Sequence, residues 1–432
     1  MKYRNGLFIL FALLGLILLV PAMVFADKTD RLIELLIEKD IVTAEEAAVL
    51  EQELEENEKP QLVSQKADAP EAAPVDWTKK VELKYDKGVV MRTTDDHFSV
   101  KLNGRVQGLF SYKDTDGGDS LSSFKVRRAR ILASGNAFYP WLKYGTQITL
   151  EGGGVSTRDV YLEATCYDWL KPRFGQFKVP FDREFLNIGF KLQLIDRSIA
   201  SSEFSLQRDV GFQISGRKIF DVLEYDVGIF NGSGVNRSNV DGDYMYVGRL
   251  VWAPFGSYPY WEGAVDAPTE HRLAIGVGGA YMPGLEPGER ATLAGRLGQD
   301  TIVPVESDVT QWTADFAYKL YGFSMKAGYY FRNIDPKAAT LFGKQDAWGV
   351  YLQGGLFLIS RHLEIAGRYA YVEPDNPNQV EYNEETEFTL GLNYYFAGHD
   401  IKTGINYSVF STEAQPDNED EHLLQASAML LF

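Results

Sequence analysis

A long run of two-residue periodicity restricts this chain more than any other feature of its sequence. Apolar and polar side chains alternate from residue 98 to residue 112, and glycines interrupt the apolar side twice. The apolar positions are Phe98, Val100, Leu102, Val106, Phe110 and Tyr112, and the polar ones are Ser99, Lys101, Asn103, Arg105, Gln107 and Ser111. The run covers about fifteen residues, whereas an ordinary strand has about 5–6. A tilted strand that crosses a membrane needs about 9–11 residues, so the pattern predicts a membrane-spanning sheet.

The same alternation recurs along the chain and predicts about sixteen strands, an even number such as single-chain bacterial barrels have. They are placed at 95–111, 124–138, 141–150, 159–168, 171–179, 209–218, 224–231, 244–253, 271–281, 311–320, 323–332, 347–358, 363–372, 385–397, 399–409 and 421–432. We therefore predict an all-β fold, a transmembrane antiparallel β-barrel in residues 77–432. The abundant Tyr (24) and Phe (26) agree with aromatic girdles around such a barrel.

The lengths of the connections support a barrel independently. Short turns alternate with longer loops, as periplasmic turns and external loops do in outer-membrane barrels. The longer loops are predicted at 112–123, 151–158, 180–208, 232–243, 282–310, 333–346, 373–384 and 410–420. One connection breaks the rule, because 254–270 should be a short turn and holds about 17 residues. It is either an unusual periplasmic excursion or a sign that the strands are miscounted there.

The first 26 residues have the order of an export signal. Lys2 and Arg4 precede an uncharged apolar run from Leu7 to Val20, and Val24-Phe25-Ala26 provides small residues for cleavage. We predict a signal peptide at 1–26 that is removed so that the mature chain begins at Asp27. With no later apolar stretch of about 18 residues, an exported chain can be integral to a membrane only as a closed barrel. The expected location is the bacterial outer membrane.

Residues 27–57 have a helical pattern and are followed by a linker. Thr43 and Glu46 form a capping box that starts a second helical stretch, so a short helical hairpin or coiled-coil-like segment in the periplasm is predicted. This segment either serves oligomerisation or tethering, or it is a leader helix that packs loosely on the barrel. Residues 58–76 are rich in Pro, Ala and Gln and predict a flexible linker.

Charge and composition exclude several classes of function. The net charge is −17, which makes nucleic acid an implausible partner. Residues 27–76 carry about −10 and the part from Trp77 onward about −9, which argues against a strongly cationic pore. The single cysteine, Cys166, and five scattered histidines predict neither a metal site nor any other cofactor. An enzyme is the least expected class, because no catalytic cluster stands out.

The chain ends as an exported barrel usually does. Counting back by twos from Phe432 gives only apolar residues, namely Leu430, Ala428, Ala426 and Leu424. A last strand with an apolar face and a terminal aromatic residue is expected to be recognised by the barrel-assembly machinery through Phe432. The alternative, an ordinary edge strand that happens to end in Phe, fits the signal peptide and the strand count less well.

Seven stretches in the same order resemble one known family. They are FKVRRAR at 124–130, RDVYLE at 158–163, GQFKVPF at 175–181, DRS at 196–198, RDVGFQISG at 208–216, FNGSG at 230–234 and LGLNYY at 390–395. The chain resembles the phosphate-selective porin O/P family from about Phe124 to Phe432. The resemblance implies a sixteen-stranded barrel, usually a homotrimer, whose lumen is lined by Lys and Arg. It also implies a constriction at the third external loop, which is 180–208 here.

Basic residues on lumen-facing parities, or in the third loop, are the candidates for selectivity. Arginine and lysine donors can replace the hydration of a passing anion, and several moderate sites let the anion leave again. The candidate anion-binding or pore-lining residues are Lys101, Arg105, Arg127, Arg128, Arg130, Asp159, Lys178, Arg183, Lys191, Arg197 and Arg208. Phe124 and Val126 share the parity of Arg128 and Arg130, which predicts a β-bulge near Arg127.

The same basic residues also permit a plainer interpretation. Any porin has a polar lumen, and each charge can be solvated and balanced by nearby acids. Residues 180–207 hold four acidic side chains against three basic ones, so the third loop carries about −1. An anion trap should be more basic than that.

Together these features predict a passive outer-membrane diffusion porin for small anions, with phosphate or related oxyanions as the expected solutes and outer-membrane lipid around it. A general or weakly cation-tolerant diffusion porin on the same fold is the first alternative. A structural barrel that anchors the envelope through 27–57 is the second. A selective or unselective ionic current distinguishes the first two, and the absence of any current would favour the third.

Overall fold

The structure, a computed structural model, describes residues 81–116, 118–239, 242–286, 305–337, 343–374, 384–413 and 419–432. The predicted signal peptide (1–26), helical segment (27–57) and linker (58–76) lie outside these residues and stay predictions. In the described ranges, no helix has the length and apolar character that crossing a membrane requires.

Eighteen strands, two short α-helices and one 3-10 turn (Glu151–Gly153) make up the regular structure of the described residues. The strands are β1 (Val81–Tyr85), β2 (Val89–Thr93), β3 (Ser99–Thr115), β4 (Leu121–Asn136), β5 (Leu142–Thr149), β6 (Ser156–Ala164), β7 (Lys171–Lys178), β8 (Arg208–Ile219), β9 (Leu223–Phe230), β10 (Met245–Trp252), β11 (Arg272–Leu285), β12 (Ser307–Leu320), β13 (Phe323–Pro336), β14 (Gln345–Ile359), β15 (Leu363–Pro374), β16 (Glu385–Ala397), β17 (Ile401–Thr412) and β18 (Glu419–Leu431). The helices are α1 (Arg183–Leu186) and α2 (Ile199–Phe204).

Sixteen of these strands close into one antiparallel barrel. Each strand from β3 to β18 pairs with the next, and β18 pairs back onto β3 with Glu421 opposite Thr115 and Leu431 opposite Arg105. The predicted barrel of about sixteen strands is confirmed, and every predicted segment overlaps one observed strand. Closure leaves no free edge within the barrel, so the backbone hydrogen bonds are satisfied between strands.

The alternation seen in the sequence becomes the two faces of the wall. On β16, Phe388, Leu390 and Leu392 are about half exposed, whereas the side chains of Glu387, Thr389 and Asn393 are buried. Successive residues of a strand point to opposite faces, so the first set lies on the outer surface and the second in the lumen. The apolar outer band is the surface that a lipid bilayer can cover.

A hairpin that the sequence did not predict precedes the barrel. β1 pairs with β2, and β2 pairs with Ser99–Leu102 at the start of β3. These residues of β3 lie beyond the end of the β18 ladder, so β2 extends the sheet where β18 has stopped. The expectation that the sheet begins at residue 95 was therefore too late by one hairpin.

The last residue closes the seam between β18 and β3. The N–H of Phe432 donates to the carbonyl of Gly104 at 3.0 Å, and the N–H of Gly104 donates to the carbonyl of Phe432 at 2.7 Å. A Cβ on Gly104 would lie 2.6 Å from the ring of Phe432. Glycine at this position is thus required by the close approach of the terminal ring.

Two long connections fold into the barrel from its opposite ends. Residues 179–207 connect β7 to β8 at the long-loop end and are called the inward loop. Residues 253–271 connect β10 to β11 at the short-turn end and are called the turn-end insert. The turn-end insert explains the unusually long connection predicted at 254–270. The strands on either side of it were counted correctly, and the connection is an excursion in which Ala264 is fully buried.

The hydrophobic core lies inside the barrel rather than around it. Its largest cluster joins apolar side chains of the inward loop, including Phe181, Ile199 and Phe204, to Tyr330 and Tyr351 on the strands they meet. Burial of these side chains holds the loop against one side of the barrel. The remaining lumen lies on the other side.

Candidate pore site

The inward loop is shaped by two capped helical turns. Asp182 caps α1, since its carboxylate accepts the N–H of Phe185 at 2.8 Å, and Ser198 caps α2 by accepting the N–H of Ser201 at 3.0 Å. Short polar side chains at such positions satisfy backbone donors that a helix leaves unpaired. These caps let a loop with many backbone polar groups lie buried in the lumen.

Ion pairs fasten the inward loop to strands β10–β17, called here the anchoring wall. Arg183 of the loop pairs with Asp315 on β12 at 3.0 Å, and Asp315 also pairs with Arg249 on β10 at 2.6 Å. The ammonium group of Lys402 on β17 donates to the carbonyls of Leu192 and Gln193 at 2.8 and 2.9 Å. All of these charged groups are buried. On this wall the basic residues therefore serve to hold the loop.

The turn-end insert meets the inward loop at Glu262. Its carboxylate accepts from Asn187 at 3.0 Å, from the N–H of Gln193 at 2.9 Å and from Lys326 at 2.6 Å. The backbone N–H of Glu262 also donates to the carbonyl of Lys191 at 3.0 Å. Burial favours the neutral acid, but Lys326 and these donors outweigh it and hold the pKa of Glu262 well below its usual range. One carboxylate thus ties together the two segments that enter from opposite ends.

A cavity of about 780 Å³ lies on the other side of the inward loop, against β3–β9. These strands are called the cationic wall. Ten basic side chains line the cavity, namely Arg105, Arg127, Arg128, Arg130, Arg158, Arg173, Lys178, Arg197, Arg208 and Arg217. Four acidic ones accompany them: Glu151, Asp159, Asp196 and Asp226. The excess of positive charge makes this cavity the candidate site for an anion.

Two β-bulges each add one arginine to the cavity. The β3–β4 register shifts so that Gln107 faces Arg128 and Gly108 faces Val126, which leaves Arg127 as the extra residue. The β5–β6 register shifts in the same way at Arg158, because Gln147 faces Asp159 and Ile148 faces Thr157. A bulge puts two consecutive residues on one face of a strand. The predicted bulge near Arg127 is confirmed, and the one at Arg158 was missed.

The structure brings together eight of the eleven residues proposed from the sequence. Arg105, Arg127, Arg128, Arg130, Asp159, Lys178, Arg197 and Arg208 line the one cavity. Arg183 does not, because it points towards the anchoring wall and Asp315. Lys191 lies 5.2 Å from the ring centre of Trp261 in the turn-end insert. Lys101 has the predicted parity but lies at the start of β3, where it pairs with Asp86 at 3.2 Å.

Three cavity arginines were missed by the sequence analysis, and two of them carried a readable signal. Arg173 alternates with Phe174, which is exposed on the outer face, and Arg217 shares the parity of the buried Gln213. Alternation alone would have placed both in the lumen. For Arg158, the outward Val160 has the same parity, so only a bulge turns the arginine inward.

Carboxylates partly neutralise the cationic wall. Arg130 pairs with Glu151 at 3.2 Å, Arg173 with Glu163 at 2.6 Å, Arg208 with Asp159 at 2.8 Å, Arg217 with Asp226 at 2.7 Å, and Arg127 with Asp196. Although partial burial favours its neutral form, Arg127 and Arg128 hold the pKa of Asp196 far below its usual range. Arg128 lies 3.8 Å from Asp196 as well. The other four cavity cations, Arg105, Arg158, Lys178 and Arg197, have no carboxylate within ion-pair distance among the described residues.

Two of those four cations bind backbone carbonyls of the inward loop. Lys178 donates to Phe185, Leu186 and Asn187 at 2.7–2.9 Å. Arg197 donates to Glu184 at 3.0 Å and to Asn187 at 2.8 Å. The carbonyls at the end of α1 lack helical partners, so Lys178 and Arg197 satisfy them and fix the loop without a carboxylate partner.

Comparison with known proteins agrees with this architecture. A family model described as phosphate-selective porin O and P matches residues 100–432. Porin O of Pseudomonas aeruginosa is 25% identical over 68% of this chain and 73% of its own length. The solved structure of an anion-selective porin from Comamonas acidovorans covers 78% of this chain and 100% of its own at 12% identity, with a TM-score of 0.55. A loop L8 deletion mutant of OmpT of Vibrio cholerae covers 77% and 100% at 14% identity, with a TM-score of 0.51. The two structures share the fold.

Proposed function

The chain belongs to the phosphate-selective porin O and P family and is an outer-membrane channel rather than an enzyme; on that premise we propose that it conducts small anions passively, with a preference for phosphate or related oxyanions. The observation that carries the proposal is the charge of the cavity, which is lined by ten basic side chains and only four acidic ones. An anion entering this space meets an excess of positive potential at the place where the inward loop narrows the lumen.

The type of cation suits an oxyanion. A phosphate ion must shed part of its hydration shell to pass a narrow space, and guanidinium groups can replace the lost hydrogen bonds two at a time. Nine of the ten basic side chains are arginines. They come from five strands and the loop, so they offer several moderate contacts in succession rather than one tight site. Passage requires that arrangement, because a tightly held ion would not leave.

The acidic residues of the inward loop do not oppose this proposal. Three of the four are bonded towards the anchoring wall: Asp182 to Tyr330, Glu184 to Lys326 and Glu203 to Arg332. Only Asp196 of that loop reaches the cavity, and it pairs with Arg127. The formal charge of the loop, about −1, is therefore a poor guide to the potential that a solute meets.

Reversal potential in a planar bilayer under a KCl gradient tests the proposal. We expect an anion-selective reversal, followed by block of the chloride current when phosphate is added. Arg128→Ala and Arg130→Ala should each weaken the block, whereas Arg272→Ala should not, since Arg272 pairs with Asp266 away from the cavity. A neutral or cation-selective reversal without phosphate block would retain the porin and remove the anion preference.

A general or weakly cation-tolerant porin is the second candidate, and one observation favours it. Five of the ten cavity cations bind a carboxylate closely, which lowers the field that they present to a solute. The reversal experiment distinguishes the two candidates directly. A folded barrel that carried no current would instead favour the structural role built on residues 27–57.

The remaining proposals concern processing and assembly. We propose that residues 1–26 are removed, that the mature chain begins at Asp27 and forms a homotrimer, and that Phe432 is recognised by the barrel-assembly machinery. Membership of the porin family supports each of them. Intact mass of the membrane-extracted protein tests the cleavage and the trimer, and deletion of Phe432 followed by measurement of outer-membrane yield tests the last.

A further inference from the structure

Two phenylalanine rings of the inward loop lie against five of the ten cavity cations. The ring centre of Phe190 is 5.6 Å from the guanidinium carbon of Arg105 and 5.8 Å from that of Arg130. The ring centre of Phe185 has three cations around it: Lys178 at 5.4 Å, Arg197 at 4.8 Å and Arg208 at 5.9 Å. All five distances are within the range in which a ring face attracts a cation. Phe190 is almost completely buried and Phe185 nearly so.

An aromatic ring holds a cation differently from a carboxylate. The attraction comes from the quadrupole of the ring, which has no net charge, so the cation is oriented without being neutralised. A carboxylate in the same place would orient the cation and cancel its field at the same time. The choice of partner therefore decides how much charge is left for a solute.

The cations on these rings include three of the four cavity cations that lack a carboxylate partner. Arg105, Lys178 and Arg197 have none within ion-pair distance in the described part of the chain. For Arg105 the ring of Phe190 is the contact that positions it, and its Nε is buried without a hydrogen-bond partner. Lys178 and Arg197 combine the ring of Phe185 with neutral backbone carbonyls. In each case the partners are uncharged.

We propose that Phe185 and Phe190 are positioning residues for anion selectivity: they hold Arg105, Lys178 and Arg197 at the cavity without neutralising them. The inference rests on the proposed anion preference of the channel and adds the residues that sustain it. Replacement of a ring by an aliphatic side chain should let the cations turn towards nearby carboxylates such as Asp159 and Glu151, and the field in the cavity should fall.

The test is the chloride-to-potassium permeability ratio of single channels in planar bilayers, measured for Phe190→Leu and Phe185→Leu. We expect each variant to lower the ratio by about two- to fivefold, which is the factor that one cation–π contact of ordinary strength represents. Phe190→Tyr and Phe185→Tyr should restore most of it, since the ring face remains. Single-channel conductance, recorded in parallel, should change less than the ratio.

Phe181→Leu is the matched control. Phe181 belongs to the same loop and is as deeply buried as Phe190, but no described cation lies over its ring. An equal loss of selectivity in Phe181→Leu would mean that loop packing alone is responsible, and the proposal would fail. An unchanged ratio in both Phe190→Leu and Phe185→Leu would also overturn it. If the wild-type channel had no anion preference, the proposed function itself would fall, and this inference with it.

Graded fluorination of the ring at position 190 decides the matter if the leucine variants do not fold. Fluorine keeps the size of the ring nearly constant while it removes the negative potential of the face. The permeability ratio should fall stepwise with each added fluorine. A ratio that stays constant across the series would show that the ring acts only by filling space.

Discussion

The two sides of the barrel use the same residue types for opposite purposes. On the anchoring wall, Arg249 is buried and bonded to an acidic partner, Asp315, that also binds the inward loop. On the cationic wall, Arg105 and Arg158 line the cavity with no carboxylate within ion-pair distance among the described residues. The number of basic residues therefore says little about a lumen. The position of their partners decides whether a charge fastens the structure or remains available to a solute.

The inward loop is the element that separates these two environments. Its acidic side chains point mostly towards the anchoring wall, whereas the rings of Phe185 and Phe190 and the carbonyls at the end of α1 point towards the cationic wall. Buried ion pairs on the first side cost several kcal/mol to break, because the remaining partner is left unpaired in a low-dielectric place. Loss of a cation on the second side removes like-charge repulsion instead. Substitutions on the anchoring wall should thus affect mainly stability, and those on the cationic wall mainly selectivity.

The largest expected effect comes from a substitution that removes a buried ion pair of the anchoring wall. Asp315→Asn should leave Arg183 and Arg249 buried without a counter-charge and lower the free energy of unfolding by about 3–5 kcal/mol. The inward loop should be released, and single-channel conductance should rise. Thermal unfolding followed by gel mobility measures the first effect, and bilayer recording the second.

Asp159→Asn is the counterpart of that substitution on the cationic wall. It frees Arg208 beside a wide cavity, so we expect a small loss of stability and a higher anion preference. Equal destabilisation by Asp159→Asn and Asp315→Asn would contradict the division of the lumen into two environments.

A smaller effect should follow from pH, because two carboxylates of the inward loop differ in their surroundings. Burial raises the pKa of Asp182 from its ordinary value of 3.8 to about 6. The native protein therefore binds more protons than the unfolded chain between about pH 4 and 6, and the docked loop should become more stable as the pH falls through that window. The pKa of Asp196 is depressed by Arg127 and Arg128 despite its partial burial, so its contribution to stability stays constant in that window and is lost only at more acidic pH.

Proteolysis of the inward loop between pH 7 and 5 measures this difference. We expect slower cleavage at pH 5 in the wild type and no pH dependence from this source in Asp182→Asn. Asp196→Asn should retain the pH dependence. A variant series in which Asp196→Asn, and not Asp182→Asn, flattened the profile would reverse the assignment.

The smallest expected effect on selectivity is that of Lys101, which lies on the same strand and has the same parity as Arg105. Lys101→Ala should leave the permeability ratio and phosphate block near the wild-type values, since Lys101 is bound to Asp86 at the short-turn end and an exposed ion pair contributes about 0–1 kcal/mol. Arg105→Ala should lower the ratio, since Arg105 lines the cavity. Titration of the chloride current with phosphate in both variants is the measurement. Equal losses of selectivity in Lys101→Ala and Arg105→Ala would mean that the position of a basic residue along the strand has no influence on selectivity.

The fold could be predicted because its main signal is local. Alternation along one strand involves only neighbouring residues. The bulge at Arg127 could be predicted because the apolar Phe124 and the basic Arg128 share a parity, although they should face opposite sides of the wall. The contact between Arg183 and Asp315 was not visible, because the two residues are 132 positions apart and meet only when the loop enters the closed barrel. Net charge is a poor guide to the cavity for a related reason, because it sums acids that face the anchoring wall with cations that face the cavity.

The bulges at Arg127 and Arg158 also bear on how such a channel can change over time. Each is one residue more on a strand than its neighbour requires, so each charge could be gained by insertion of a single codon and lost by its deletion. Such a change leaves the lipid-facing residues on either side in place. In an alignment of relatives it would be seen as a one-residue gap rather than as a substitution. Variation in length within β4 and β6 is accordingly a route by which barrels of this kind can diversify their solutes while the rest of the sequence stays the same.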